Sequence, residues 1–228
     1  MNTLGELAGG MAHELNQPLT AVLANTQAAQ RLLAEESVDL VTVQTAMAQA
    51  VNQARRAADV VGRLRVLVER PDAAPHLRPV DLRDAVRNVL HLMQPECARR
   101  DVVPALTAHT PVWVKAEPVA LDQIVHNLLL NALQALEQVT ARHRTMQIVV
   151  LADARHGTLT VSDSGPGITP KAMPRLFEPF YSTRAGGLGL GLGLCETLVS
   201  NMGGTLTAAN QVRHGAIFTL TLPACERR

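Results

Sequence analysis

His13 and Glu14 stand side by side in the run Ala12-His13-Glu14-Leu15-Asn16-Gln17-Pro18-Leu19. A neutral imidazole is a usable nucleophile near pH 7, and a neighbouring carboxylate can hold its second ring nitrogen and take the proton. An exposed His-Glu pair on a helix is ordinarily just a solvated face. Pro18 changes the setting: inside a helix it removes the bond to the Glu14 carbonyl and pushes against it, so a bend is expected beside the imidazole. Far downstream, Asn127 and Asn131 lie one helical turn apart in His126-Asn127-Leu128-Leu129-Leu130-Asn131-Ala132. Two amides on one stripe of so apolar a helix need partners. Those partners are either backbone groups to be capped or a Mg²⁺ ion that draws its other oxygens from phosphates and water.

Glycine marks the remaining candidates. Asp163-Ser164-Gly165-Pro166-Gly167 follows a β-type run and is, at its plainest, a turn. Its glycines would also let the backbone approach a planar base, while the Asp163 carboxylate, which only accepts, would take a hydrogen from an adenine amino group and repel the carbonyl of guanine. Phe177-Glu178-Pro179-Phe180 is either packing or a loop that reseats its aromatic anchors when a ligand arrives. Gly186-Gly187-Leu188-Gly189-Leu190-Gly191-Leu192-Gly193-Leu194 runs into a helix, where exposed backbone N–H groups and the helix dipole suit phosphate oxygens. Arg184, just upstream, either meets terminal phosphates or is a solvated loop charge.

The elements that would carry these groups fall into two sets. Leu4, Ala8, Met11, Leu15, Pro18, Val22, Ala29 and Leu32 follow a heptad seam broken only by Asn25, with His13 on the opposite face. After Glu35-Glu36-Ser37, a second seam runs through Val43, Met47, Ala50, Ala54, Ala57, Val61, Leu64 and Val68. Two such helices make an antiparallel hairpin whose narrow, Ala-rich seam cannot stand alone, so a homodimer with a four-helix bundle is expected. Arg70 to Pro75 reads as linker. The remainder reads as an α/β domain: a helix over 81–98, strands at 102–106 and 112–115, and an apolar helix over 119–139. A hairpin of 147–152 and 158–162 turning at Arg155-His156-Gly157 follows, then a helix over 192–202 and strands at 205–209 and 216–222. A mixed sheet covered on one face by helices is the natural arrangement, with Trp113 at its core or edge.

Composition bounds the function. Hydrophobic residues make up 47% of the chain and aromatics only 2%, so the cores must be built from Leu, Val, Ile and Ala. A formal charge of +1 provides no field for nucleic acid or an anionic membrane, and neither is expected as a partner. Cys97, Cys195 and Cys225 are too few and too scattered for a disulfide framework and fit a reducing cytosol. No run has membrane-spanning length, so the chain is expected to be cytoplasmic, with any membrane anchor belonging to a longer natural protein. The heptads begin at Leu4, and no sensory domain is expected ahead of them; an excised core, or one regulated by another protein, fits.

Read in order, these pieces resemble the sensor histidine kinases of bacterial two-component systems over almost the whole chain. Ala12 to Leu19 resembles the family's H box, Asn127 to Ala132 its N box, Asp163 to Gly167 its G1 box, Phe177 to Phe180 its F box and Gly187 to Leu192 its G2 box. The resemblance implies an α+β chain: a dimerisation and histidine phosphotransfer domain over 1–70, a linker over 71–79, and an α/β-sandwich ATP-binding domain of the Bergerat type over 80–228. It implies that His13 accepts the phosphoryl group and Glu14 assists proton removal. Asn131 would then be the principal Mg²⁺ ligand, with Asn127 beside the metal and phosphates, and Asp163 would read adenine. Gly165, Gly167, Arg184, Gly187, Gly189, Gly191 and Leu192 would line the ATP site. ATP and Mg²⁺ are the implied cofactors, and a response-regulator receiver domain the implied partner that takes the phosphate on an aspartate.

Four positions, one set against the related ATPases and three against the family's own pattern, bear on chemistry. The related gyrase-type ATPases carry a water-activating glutamate where Asn127 stands, and an amide cannot serve as a base, so slow water attack is implied. Gln17 stands where many members have Thr or Asn, a position tied to dephosphorylating the partner. Arg184 replaces the usual lysine, and Gly193 a commoner serine, which should loosen the helix start. A nucleotide-binding dimeric scaffold without transfer, or a gyrase-type ATPase, are the competing classes; the intact His13, Asn131 and Asp163 oppose the first and Asn127 the second.

Overall fold

The computed structural model describes residues 3–34, 39–68, 76–179, 181–183, 189, 191–212 and 214–226. The chain divides into two compact units, Met1–Arg70 and Pro71–Arg228. In the first, helices α1 (Thr3–Leu33) and α2 (Leu40–Val68) pack side by side as a hairpin. Asp39 opens α2, its Oδ1 accepting from Val41 N at 3.0 Å and Thr42 N at 3.2 Å. Helix α1 continues without interruption through Pro18, which is buried. His13 and Glu14 lie on α1, with side chains outside the described residues, as is the turn expected at 35–37.

The seam of α2 is rotated from the expected one. Val43 and Ala46 are buried against Ala29 and Leu32, and Ala57 is buried further along, but Met47 is 57% exposed and Ala54 faces solvent. The reason is that alanines at 46, 50, 54 and 57 make neighbouring stripes almost equally apolar, so the stripe chosen against α1 is decided by close approach. Leu19, Leu23, Met47 and Val51 remain exposed on this hairpin.

The second unit begins with β1 (Arg78–Asp81), antiparallel to β3 (Trp113–Ala116). This strand takes Arg78 and Pro79 out of the linker expected over 71–79; residues 71–75 lie outside the described residues. The main sheet has the order β2-β4-β5-β7-β6, from β2 (Ala105–Thr107), β4 (Met146–Ala152), β5 (His156–Asp163), β6 (Thr205–Asn210) and β7 (Ala216–Pro223). Only β2 and β4 run parallel, so the sheet is mixed. Alternation fixes its sidedness. Ile148, Val150, Leu159, Val161, Phe218, Leu220 and Leu222 point into the core. On the opposite face Thr158, Thr221 and Thr205 sit abreast in one row, and Thr160, Thr219 and Thr207 in the next, as β-branched residues suited to a half-exposed pleat.

Three helices cover the inner face: α3 (Leu82–Leu92), α5 (Pro118–Leu136) and α6 (Gly191–Asn201). The single helix expected over 81–98 is broken at Met93 into α3 and the short α4 (Gln94–Arg99), because Pro95 has no N–H to continue the ladder and starts a new helix instead. The expected hairpin turn at 155–157 is also displaced. Asp153 Oδ1 accepts from Arg155 N at 2.7 Å and His156 N at 2.8 Å, so the bend lies at 153–155 and Gly157 pairs within the strand opposite Ala152. Gly157 is needed there for closeness, since a Cβ would meet Val114 Cγ1 at 2.4 Å.

Asp81 ties this fold together at one point. It is 7% exposed, and its Oδ1 caps α3 through Arg83 N at 3.0 Å and also accepts from Val112 N at 3.0 Å, joining helix to the β3 segment. Arg83 Nη2 reaches its other oxygen at 3.1 Å. Asp81→Ala should cost about 2–4 kcal/mol by losing the cap and orphaning buried donors. Urea unfolding followed by the fluorescence of Trp113, the sole tryptophan and the residue paired with Asp81, reads that loss directly.

Candidate nucleotide site

Helix α5 carries the site because it is buried on nearly every side. Glu117 caps its start, accepting from Val119 N and Ala120 N, and Pro118 follows at a position where no N–H is required. Leu121, Ile124, Val125, Leu128, Leu129, Ala132, Leu133 and Leu136 are buried in the core. Asn127 is 9% exposed and Asn131 half-buried. They lie one turn apart, with Ala135 one turn further on the same stripe.

Glycines approach both ends of that stripe. A Cβ on Gly191, the first residue of α6, would lie 3.9 Å from Asn127 Oδ1. A Cβ on Gly165 would collide with the Ala135 Cβ at 2.8 Å and with Asp163 Oδ1 at 2.7 Å. The glycine turn after β5 and the glycine start of α6 therefore stand about 12 Å apart along α5, at a rise of about 1.5 Å per residue from Asn127 to Ala135. A base at one end and phosphates at the other would lie along the amide stripe between them.

Asp163 is built into its corner. It is 2% exposed, and its Oδ1 accepts from Gly165 N at 2.8 Å and Ala216 N at 3.4 Å, while its carbonyl accepts from Gln211 Nε2 at 2.8 Å. Ser164 bonds away from the site, donating to the His143 carbonyl at 2.6 Å and accepting from Thr145 N at 2.8 Å. Gly167 adopts φ +78°, and the next residue, Ile168, is clamped by Asn210, which accepts from Ile168 N and donates to Ile168 O, each at 2.7 Å. Gly215, at φ +101°, passes so near the Asp163 carbonyl that a Cβ would lie 1.7 Å from it.

The glycine-rich stretch is only partly described. Gly189 has φ +63° and Gly191 opens α6; Arg184, Gly187 and Phe180 lie outside the described residues. Leu192 is half-buried and packs against the core. Gly193 does more than loosen a helix start, because a Cβ there would meet the Phe177 carbonyl at 2.8 Å. Arg175 braces the same loop through Glu178 Oε2 at 2.8 Å and lies 4.3 Å from the centre of the Tyr181 ring.

Residue-by-residue reading of the motifs missed the supporting set. Cys195, Asn210, Gln211 and Gly215 all hold motif residues, yet each acts across a long sequence separation. Only Gly215 had a local signal, a glycine between two strands. The donor set suits magnesium better than a tightly liganded metal. Among the described residues no group of His, Cys, Asp and Glu could hold an ion, whereas the α5 stripe offers amide oxygens of the kind Mg²⁺ accepts alongside phosphate and water.

Comparison with known proteins falls in line with this geometry. Residues 116–226 match the family model described as histidine kinase-, DNA gyrase B- and HSP90-like ATPase, and residues 3–70 match that of the His Kinase A (phospho-acceptor) domain. The sensor histidine kinase TmoS of Ectopseudomonas mendocina is 31% identical over 224 residues, covering 97% of this chain and 23% of TmoS. Sensor protein FixL of Bradyrhizobium diazoefficiens is 32% identical over 229 residues, covering 99% of this chain and 45% of FixL. The chain thus spans less than half the length of these relatives. Full-length ShkA in complex with AMPPNP superimposes with a TM-score of 0.68 at 26% identity, over 97% of this chain and 46% of ShkA. Among the described residues no helix is long and apolar enough to cross a membrane.

The contact between Gly215 and Asp163 provides the test of this geometry. Gly215→Ala should destabilise the domain by about 3 kcal/mol or more, since it adds both a left-handed strain and a collision with backbone. Thermal unfolding measures the loss, and an unchanged melting temperature would show that the Asp163 corner is not as close as drawn.

Proposed function

Because the chain belongs to the sensor histidine kinases of bacterial two-component systems, we propose that it binds Mg·ATP and phosphorylates His13 within a homodimer. The phosphoryl group then passes to an aspartate on a response-regulator receiver domain. The observation that carries this reading is the amide stripe of α5 with a glycine turn at one end and a glycine helix start at the other. In this reading 1–70 is the dimerisation and phosphotransfer domain, the linker ends where β1 begins at Arg78, and 78–228 is the ATP-binding domain. Kinase chemistry that draws on ATP and a receiver domain supports a cytoplasmic location.

Each site residue has a chemical task. Asp163 takes the hydrogen of the adenine amino group, with Gly165 and Gly167 letting backbone lie near the base. Gly191 and Leu192 open α6, with Gly189 just before it, where backbone N–H groups and the helix dipole favour phosphate oxygens; Gly187 and Arg184 would serve the same site. Asn131, with Asn127 beside it, would hold the magnesium; a bound Mg²⁺ supplies charge neutralisation across the phosphates. Asn127 itself cannot deprotonate water, which supports sparing the terminal phosphate for His13. Glu14 accepts the proton that His13 gives up, and in-line alignment does the rest.

The partners follow from the surface and the family. Leu19, Leu23, Met47 and Val51, all about half exposed or more, support burial of the hairpin against a second copy. ThkA, whose structure in complex with the response regulator protein TrrA matches this chain with a TM-score of 0.73 at 20% identity over 97% of it and 62% of ThkA, has the same two-part fold.

Incubation with γ-labelled ATP and Mg²⁺ should give a protein-bound label that is acid-labile and alkali-stable. His13→Gln should abolish that label and leave ATP affinity near normal. Asn131→Ala and Asp163→Ala should each weaken Mg·ATP binding about tenfold or more by calorimetry, the loss of a charge-assisted contact. Wild-type affinity in both would sink the site assignment, and free phosphate without labelled protein would point to an ATPase.

A further inference from the structure

Asn127 is oriented by a residue that belongs to none of the motifs. Its Nδ2 donates to the Sγ of Cys195 at 3.5 Å, across the packed faces of α5 and α6. Cys195 is fully buried, and Asn127 nearly so. Cys195 also lies one turn after Gly191 on α6, so both present the same face to α5. Gly191 is the residue that Asn127 Oδ1 approaches. The two ends of the carboxamide thus meet two residues of one helix stripe: nitrogen to sulfur, oxygen to the glycine opening.

A carboxamide has a donor end and an acceptor end of nearly equal size, so packing alone does not choose between its two orientations. Hydrogen bonding does. A buried N–H pair needs an acceptor, and the thiol sulfur of Cys195 accepts from it at 3.5 Å. We propose that Cys195 is a positioning residue: its sulfur accepts the Asn127 N–H and thereby turns the amide oxygen towards the start of α6, where the magnesium and phosphates are read to lie. The inference rests on the Mg·ATP reading above. It adds that the metal-side amide is set from behind by a side chain of the phosphate-binding helix, so α6 contributes its backbone to phosphate and its thiol to amide orientation together. An apolar residue at 195 would leave the amide nitrogen unpaired and free the group to rotate.

The test uses the full chain with Cys195→Val, which keeps bulk and removes the acceptor, and Cys195→Ser, which keeps an acceptor. Mg·ATP affinity by calorimetry and thermal melting are measured for both. Cys195→Val should remain folded by thermal melting and bind Mg·ATP about tenfold more weakly, while Cys195→Ser stays near wild type. Cys195→Ala carries the same expectation as Cys195→Val and serves if the branched side chain fails to fold. Equal binding by wild type and Cys195→Val, or an equal loss in the valine and serine variants, would overturn the positioning role while leaving the nucleotide reading intact. Absence of Mg·ATP binding in the wild type itself would overturn both.

Discussion

A helix enclosed by apolar neighbours can keep polar side chains only along the stripe where those neighbours stand back, and α5 is built around that constraint. Its leucines fill the core beneath the sheet, leaving Asn127 and Asn131 on the remaining strip. Two other elements of the second unit define the ends of that strip. The sheet delivers Asp163 and its glycine turn to one end, and α6 begins at the other. Because the strip lies on a rigid buried helix, its groups need little reorganisation when a ligand arrives, which is the condition under which charge stabilisation costs least.

The supports of Asp163 illustrate how the sheet serves the site. Strand β7 begins at Ala216, whose N–H turns to the Asp163 carboxylate, and the turn before it brings Gly215 against the Asp163 carbonyl. Gln211 from the same connection holds that carbonyl as well. A buried carboxylate is tolerated because backbone donors satisfy it in place of water. The β6–β7 connection is therefore part of what holds Asp163 in place.

Much of this was legible in the residues. The amide pair one turn apart, the glycine turn after a strand and the glycines opening a helix each announce a local geometry, and local geometry is what sequence encodes most directly. The rest depended on contacts between distant residues or on competition between nearly equal local choices. Cys195 meets Asn127 across 68 positions, and nothing near Cys195 signals that meeting. The run Arg155-His156-Gly157 reads as a turn, but Asp153 captures two N–H groups first, and Gly157 serves instead to let β3 pass. In α2 the alternative alanine stripes differ too little in apolarity for pattern alone to choose, and Met47 stays outside the seam that its spacing predicts. Pro95 was visible, but a long apolar pattern running past it disguised the break.

The threonine rows on the outer face of the sheet bear on the domain as a separate body. Branching at Cβ stiffens the strands, so the sheet keeps its shape without a second layer on that side. The hydroxyls wet these two rows, which continue on β4 into the exposed Leu151 and the half-buried Val149. The outer face thus holds its shape through branching at Cβ and meets water through hydroxyls and aliphatic carbons side by side, a mixed surface rather than a dry one.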